Sequence, residues 1–210
     1  MARPGVLLAA AALAASAVAL HVLTVIDAAR PLAVALSWIG AACFAVGLLR
    51  AAGVALAESA LVAGALGLAW YLGAGAVFLP SLAVNLLLAW FFGRTLVAGR
   101  VPLVTSIARV VRGVAELPPE LERYTRAVTA VWCVFFLAMA GVSASLAAFA
   151  PLAAWSLFAN VATAPLVGAM FAAEYAYRRR RFAGHPHVPP HAVLQRLLAA
   201  GFAVTRPSAK

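Results

Sequence analysis

The sequence predicts an all-α fold, a polytopic membrane helical bundle of about six transmembrane helices with both termini in the cytoplasm. Hydrophobic residues make up 66% of its 210 residues and charged residues only 10%, which is too little charge for the surface of a water-soluble domain. Six apolar runs approach the roughly 20 residues that an α-helix needs to cross the hydrocarbon core. The basic residues lie in alternate connections between these runs, and this placement orients the bundle.

The apolar runs and the prolines beside them define the predicted elements. A transmembrane domain over 1–182 contains spans at 5–27, 31–49, 53–71, 76–97, 127–149 and 152–175. Pro31 and Pro80 fall near helix starts, where a missing N–H costs nothing, and Pro151 precedes the last span. Pro165 predicts a kink within that span.

The first span has an alternative interpretation as a signal peptide, because Arg3 precedes it and Ala17-Val18-Ala19 resembles a cleavage site. Its apolar run of about 22 residues exceeds the roughly 7–15 residues of a signal sequence. We therefore predict a retained helix, and cleavage would remove one span only.

Fifteen of the sixteen basic residues fall on one side of the membrane when the N-terminus is placed inside. The exception is Arg30, which follows Asp27 in the first outer connection. An excess of arginine in cytoplasmic connections is typical of inner-membrane proteins. The sequence therefore predicts a multi-pass membrane protein with a basic cytoplasmic face. The net charge of +10 indicates membrane lipids as partners rather than nucleic acid, because the basic residues flank apolar runs.

The long polar connection at 99–126 is predicted to be a cytoplasmic amphipathic segment. Its apolar positions repeat with helical spacing over 101–114, a pattern suited to a basic helix in the headgroup layer. Pro119 can begin the fifth helix, with Glu122 and Arg126 four residues apart as a candidate ion pair. A basic cytoplasmic tail follows at 183–210. Its three histidines have no carboxylate or cysteine nearby, so we predict no metal site.

The arginines of the segment 99–126 have two interpretations. The residues anchor the segment to anionic lipid, or they form a site for a phosphate-bearing ligand or an acidic protein. The candidate partner-binding or anion-binding residues are Arg100, Arg109, Arg112, Arg123, Tyr124 and Arg126.

Four polar residues within or beside the spans are the other candidates, because intramembrane polar groups are costly and mark function. Glu58 lies in the third span, and its alternative role is to reach the inner interface toward Arg50 or Arg94. Asn85 and Asn160 lie deep in spans four and six, where interhelical hydrogen bonding is the more common role. Glu174 lies beside the final arginine run.

Motifs for catalysis are absent from the sequence, which contains no nucleophile elbow, Walker loop or H-E-x-x-H. Cys43 and Cys133 lie in apolar runs without ligand spacing. We therefore predict no catalytic residues, no metal and no cofactor.

From Leu79 onward a series of motifs follows in a recognisable order. The series is Pro80…Asn85, Pro102-Leu103, Leu117-Pro118-Pro119-Glu120, Arg123-Tyr124-Thr125-Arg126-x-x-Thr129, Trp132, Phe135-Phe136, Trp155 and Glu174-Tyr175. It resembles a family of bacterial inner-membrane proteins encoded among fatty-acid-synthase-like genes for aryl-polyene or xanthomonadin-type pigments. The resemblance covers 79–182 and is most specific at 123–132. The chain departs from it at Thr105-Ser106 and at Ala138-Met139, where relatives carry a Glu-Arg pair and an asparagine.

The resemblance implies a pathway rather than a reaction. The first hypothesis is a non-catalytic accessory protein for a lipid-linked polyene, which docks acidic acyl-carrier or synthase proteins on its basic face. The second is a small transporter or flippase for that product, with Glu58, Asn85 and Asn160 along its path. The third is a membrane acyl or glycolipid transferase.

Overall fold

The computed structural model of the protein describes residues 4–51 and 77–182, and every regular element within them is helical. The predicted all-α class is thus confirmed for this part of the chain. The predicted third span with Glu58 and the predicted tail at 183–210 lie outside the described residues. The count of six spans stays a prediction.

Six helices lie within the described residues. They are α1 (Pro4–Val25), α2 (Arg30–Ala51), α3 (Leu79–Gly93), α4 (Leu103–Arg112), α5 (Pro119–Phe149) and α6 (Leu152–Arg181). A 3₁₀ turn at Asp27–Ala29 joins α1 to α2, and a π-helical turn at Leu157–Ala162 interrupts α6.

Three segments are long and apolar enough to cross a membrane, namely Asp27–Arg50, Pro119–Phe149 and Leu152–Arg181. Two shorter apolar helical stretches accompany them. They are Ala14–Val25, which is part of α1, and Leu79–Gly93, which is α3. The helix α3 is shorter than the predicted span 76–97, since it ends at Gly93 and turns follow it. These lengths and compositions are those of a helical membrane protein.

The main helix pair is α3 against α5, which packs through an aromatic cluster. Trp132 of α5 is 4% exposed and stacks on Phe92 of α3 and on Phe136, with ring centroids 5.9 and 5.6 Å apart. Phe171 of α6 meets the same indole at 4.5 Å. The three helices therefore share one contact, and such aromatic pairs stabilise a core beyond their buried area.

A close approach between α3 and α5 favours glycine at position 93. A Cβ atom on Gly93 would lie 3.1 Å from the sulfur of Cys133, which already contacts the carbonyl oxygen of Ala89 at 3.3 Å. Small residues at a helix interface let backbones approach in this way.

The amphipathic helix α4 forms as predicted between Leu103 and Arg112, and Gly113 ends it in a left-handed conformation (φ 66°). Part of its apolar face packs on protein. Leu103 is 4% exposed against Phe91, and Val111 is 5% exposed, while Ile107 and Val110 are half-buried and Val114 is 43% exposed. The placement of α4 in the headgroup layer stays a prediction.

Threonines from the neighbouring helices cap the start of α4. The first N–H groups of a helix have no partner within it. The N–H of Leu103 donates to the hydroxyl of Thr95 (3.0 Å), and the N–H of Val104 donates to Thr129 (3.2 Å). Thr105 and Thr125 add a buried hydroxyl pair at 2.7 Å. These contacts fix the position of α4 against α5 and the turn that follows α3.

Pro165 acts on α6 through the preceding turn. Proline cannot donate to the carbonyl four residues earlier, and the helix widens to a π turn at Leu157–Ala162 just ahead of it. The N–H and the hydroxyl of Thr163 both donate to the carbonyl oxygen of Phe158. The wider turn thus pairs the carbonyl of Phe158 with a residue five positions later instead of four.

We expect Thr129→Val to destabilise the docking of α4. Thr129 has 0% exposure, so valine would keep the shape and strand the N–H of Val104, at a cost of about 1–3 kcal/mol. Unfolding in detergent and hydrogen exchange at the amide of Val104 measure the change. Thr129→Ser keeps the hydroxyl and is the control. Unchanged stability and exchange in the valine variant would contradict the capping role.

Candidate functional site

Polar groups gather in two regions at opposite ends of the bundle. Tyr124 lies near the start of α5 and Ser143 near its end, a separation of about 29 Å at 1.5 Å per residue. The first region, called the arginine platform, consists of α4, the turn at 113–118 and the first turns of α5. The second is a cavity near Ser143, bounded by α1, α2, α3 and α6.

Two of the predicted platform arginines are committed to contacts within the protein. Arg109 pairs with Glu122 at 2.7 Å, and Arg126 donates to the carbonyl oxygen of Leu96 at 2.7 Å. The expected pair between Glu122 and Arg126 is therefore wrong. Packing α4 beside α5 brings Arg109 to the carboxylate, which local helical spacing alone does not reveal.

Arg112 and Arg123 remain available on the platform. Neither side chain forms a hydrogen bond or ion pair with any residue in the described ranges, and Arg123 is exposed. Arg112 lies three residues beyond Arg109, and Arg123 directly follows Glu122. Both residues therefore adjoin the α4–α5 ion pair along the chain.

Arg100 and Arg94 extend the basic region toward the end of α3. Arg100 is exposed and donates to the carbonyl oxygen of Arg94 at 3.4 Å. The guanidinium of Arg94 lies over the ring of Trp90 at 4.9 Å. Burial, and then the charge of Arg100, lower the pKa of Arg94 from its usual value.

Tyr124 and Glu174 join the platform to α6. The hydroxyl of Tyr124 donates to the carboxylate of Glu174 at 3.0 Å, and Arg178 contacts the same carboxylate at 3.5 Å. Arg181 pairs with Glu120 at 3.1 Å. These contacts place Tyr124 and Glu174 in a link between helices and not on the exposed part of the platform.

The cavity brings together the two predicted asparagines. Asn85 of α3 and Asn160 of the π turn both line a space of about 360 Å³. Ser37 of α2 and Ser81 of α3 add hydroxyls, while Trp155 gives an aromatic wall. The described residues around this space carry no ionisable side chain. The third intramembrane candidate, Glu58, lies outside the described residues.

A chain of polar contacts runs from the cavity to α1. Asn160 donates through its amide nitrogen to the hydroxyl of Ser156 at 3.0 Å, and Nδ1 of His21 lies 3.0 Å from that hydroxyl. Ser156 has 0% exposure. The indole N–H of Trp155 donates to Ser143 at 3.1 Å. Interhelical contacts of this kind hold α1, α5 and α6 together where lipid offers no competing partner.

Sequence reasoning identified Asn85 and Asn160 but missed Ser156 and the capping threonines. Serine and threonine are common in membrane helices, where their hydroxyls bond to their own backbone, as Ser16 does. The sequence marks Asn160 through its position five residues before Pro165. It carries no comparable signal for Ser156. One of its partners, His21, lies 135 residues away in the sequence, and the other, Asn160, lies one helical turn away.

We expect Ser156→Ala to loosen α1 from α6. The variant removes the hydroxyl that His21 and Asn160 share, and interhelical hydrogen bonds in membranes contribute about 0.6–1.7 kcal/mol. Unfolding in detergent micelles measures the loss. The control is Ser145→Ala, because that exposed hydroxyl bonds only to the carbonyl of Gly141 in its own helix. Equal stability of the two variants would exclude an interhelical role for Ser156.

Comparison of the chain with protein-family models, with curated proteins and with solved structures finds no match. The functional conclusion therefore rests on the platform and the cavity.

Proposed function

We propose that the chain is a multi-pass accessory protein of the bacterial inner membrane, with six spans and both termini in the cytoplasm. It is non-catalytic and serves the synthesis or assembly of a lipid-linked polyene of the aryl-polyene or xanthomonadin type. Acidic acyl-carrier or synthase proteins dock on its arginine platform. The motif order over 79–182, which resembles proteins of such pathways, supplies the pathway in this proposal.

The single observation that carries the docking proposal is the rigid support beneath Arg112 and Arg123. Arginines that only anchor a loop to anionic lipid need charge but no fixed geometry. Here α4 is capped by Thr95 and Thr129 and packs through Leu103 on Phe91 of α3. Two arginines without a side-chain partner among residues 4–51 and 77–182 therefore stand on a preformed surface, and preorganisation of this kind favours a protein partner of complementary charge.

Charge reversal at the platform tests the docking. We expect Arg112→Glu with Arg123→Glu to abolish co-purification with the carrier proteins, since like charges across an interface repel. The matched control is Arg112→Lys with Arg123→Lys, which keeps both charges and should retain binding that weakens at high salt. Co-purification of the glutamate variant at the wild-type level would overturn the docking proposal.

Arg126 needs separate treatment because its guanidinium bonds to the carbonyl of Leu96. Its reversal would disturb the fold beneath the platform as well as the surface charge. Arg112 and Arg123 avoid this complication, which is why the pair is preferred for the test.

The proposed orientation is tested by labelling single cysteines. We expect a membrane-impermeant maleimide to label Ala28→Cys in intact spheroplasts, and Glu116→Cys only after lysis. Both positions are exposed, and Cys43 and Cys133 are replaced by alanine to remove background labelling. The reverse pattern would place the platform outside the cell and exclude carrier proteins as its partners.

A further inference from the structure

The cavity combines apolar walls with hydrogen-bonding groups and no charge among the described residues. Leu36 and Phe44 line it from α2, and Trp155 lines it from α6. Leu36 is 47% exposed, so the cavity reaches the outer surface of the described bundle. A molecule that enters from the bilayer would therefore contact both apolar surface and the two asparagines.

The asparagines keep hydrogen-bonding capacity after their internal contacts are counted. The amide nitrogen of Asn85 donates to the carbonyl oxygen of Ser81 at 2.9 Å, and that of Asn160 donates to Ser156. The amide oxygens accept no hydrogen bond from any residue in 4–51 or 77–182. Asn85 is only 4% exposed and Asn160 is half-buried, and an amide oxygen can accept up to two hydrogen bonds. A ligand with a hydroxyl or amide N–H would supply the missing donor.

The position of Asn160 in the π turn strengthens this assignment. Single π turns inside α-helices occur frequently at functional sites. The hydroxyl of Ser156, which also contacts His21, accepts a hydrogen bond from the amide nitrogen of Asn160. The side chain is thus positioned by contacts that do not use its acceptor.

We propose that this cavity binds one lipid through an uncharged polar group that donates hydrogen bonds, such as the free hydroxyl of a diacylglycerol-like molecule. A phosphate would lose its hydration without gaining a cationic partner from the described lining, and that loss is large in a low-dielectric site. The volume of about 360 Å³ accommodates the polar part of a lipid and the adjoining carbons, with the chains extending along the exposed face at Leu36.

Gly40 offers a direct way to fill the cavity. It lines the space on α2, and a Cβ atom built on it meets nothing within 4 Å. Gly40→Phe therefore inserts a ring without a clash at the backbone. Gly47 lies two turns along the same helix, also with nothing within 4 Å, and it is not among the lining residues. Gly47→Phe is the matched control.

The test uses the purified full chain in detergent micelles and two ligands with the same chains, dioctanoylglycerol and dioctanoyl phosphatidic acid. Native mass spectrometry counts the lipids retained on the protein during a titration. We expect wild type and Gly47→Phe to retain one dioctanoylglycerol, and Gly40→Phe to lose it. Asn85→Leu and Asn160→Leu keep the volume and should each lower the affinity about tenfold, as expected for a lost buried hydrogen bond.

Three results would overturn the proposal. They are retention of dioctanoylglycerol by Gly40→Phe at the wild-type level, an equal loss in Gly47→Phe, and leucine variants that bind like wild type. Phosphatidic acid can bind at the arginine platform, and such binding should not respond to Gly40→Phe. If that variant abolishes phosphatidic acid binding as well, the ligand is not restricted to uncharged lipids. The outcome is independent of carrier docking, which is measured at the opposite end of the bundle.

Discussion

The contact between α3 and α5 is the one on which the rest of the described structure depends. Lipid is as apolar as the side chains that face it, so helices associate through close packing and hydrogen bonds rather than through a hydrophobic driving force. Gly93 and Ala89 allow that packing because the sulfur of Cys133 reaches the backbone of α3. Trp132 then joins α3, α5 and α6 in a single aromatic cluster. The cap that Thr129 places on α4 follows from the same helix pair.

Hydroxyl caps matter more than ion pairs for the geometry of the arginine platform. Arg181 and Glu120 are both more than half exposed, and exposed pairs contribute only about 0–1 kcal/mol. Thr95 and Thr129 are buried and each holds a backbone N–H. A buried N–H without a partner costs more than an exposed ion pair contributes. The platform therefore keeps its shape through neutral groups, and its remaining charge faces outward.

The helical class of the described residues is the part of the fold that the sequence predicts well. Apolar runs and the helical repeat over 101–114 are local signals, and Pro119 stands at the start of α5. Contacts between residues that are far apart in the sequence are not predictable in this way. The partner of Glu122 and the contact of His21 with Ser156 are set by which helices are neighbours. The same reason explains why the sequence suggests one path for Asn85 and Asn160 but does not show the cavity that they share or its other walls.

The kinds of polar group at the two ends follow from their surroundings. A charged side chain at the centre of a bilayer costs about 2.5–3.5 kcal/mol by insertion measurements, whereas a neutral amide can donate to a backbone carbonyl, as Asn85 does to Ser81. The predicted cytoplasmic end can carry arginine because water solvates the charge there. The cavity end uses asparagine and serine, which offer directional hydrogen bonds without a charge that needs neutralising. An amide oxygen left over in such a place discriminates by the presence of a donor, so it selects a hydroxyl over a phosphate by chemistry and not by size.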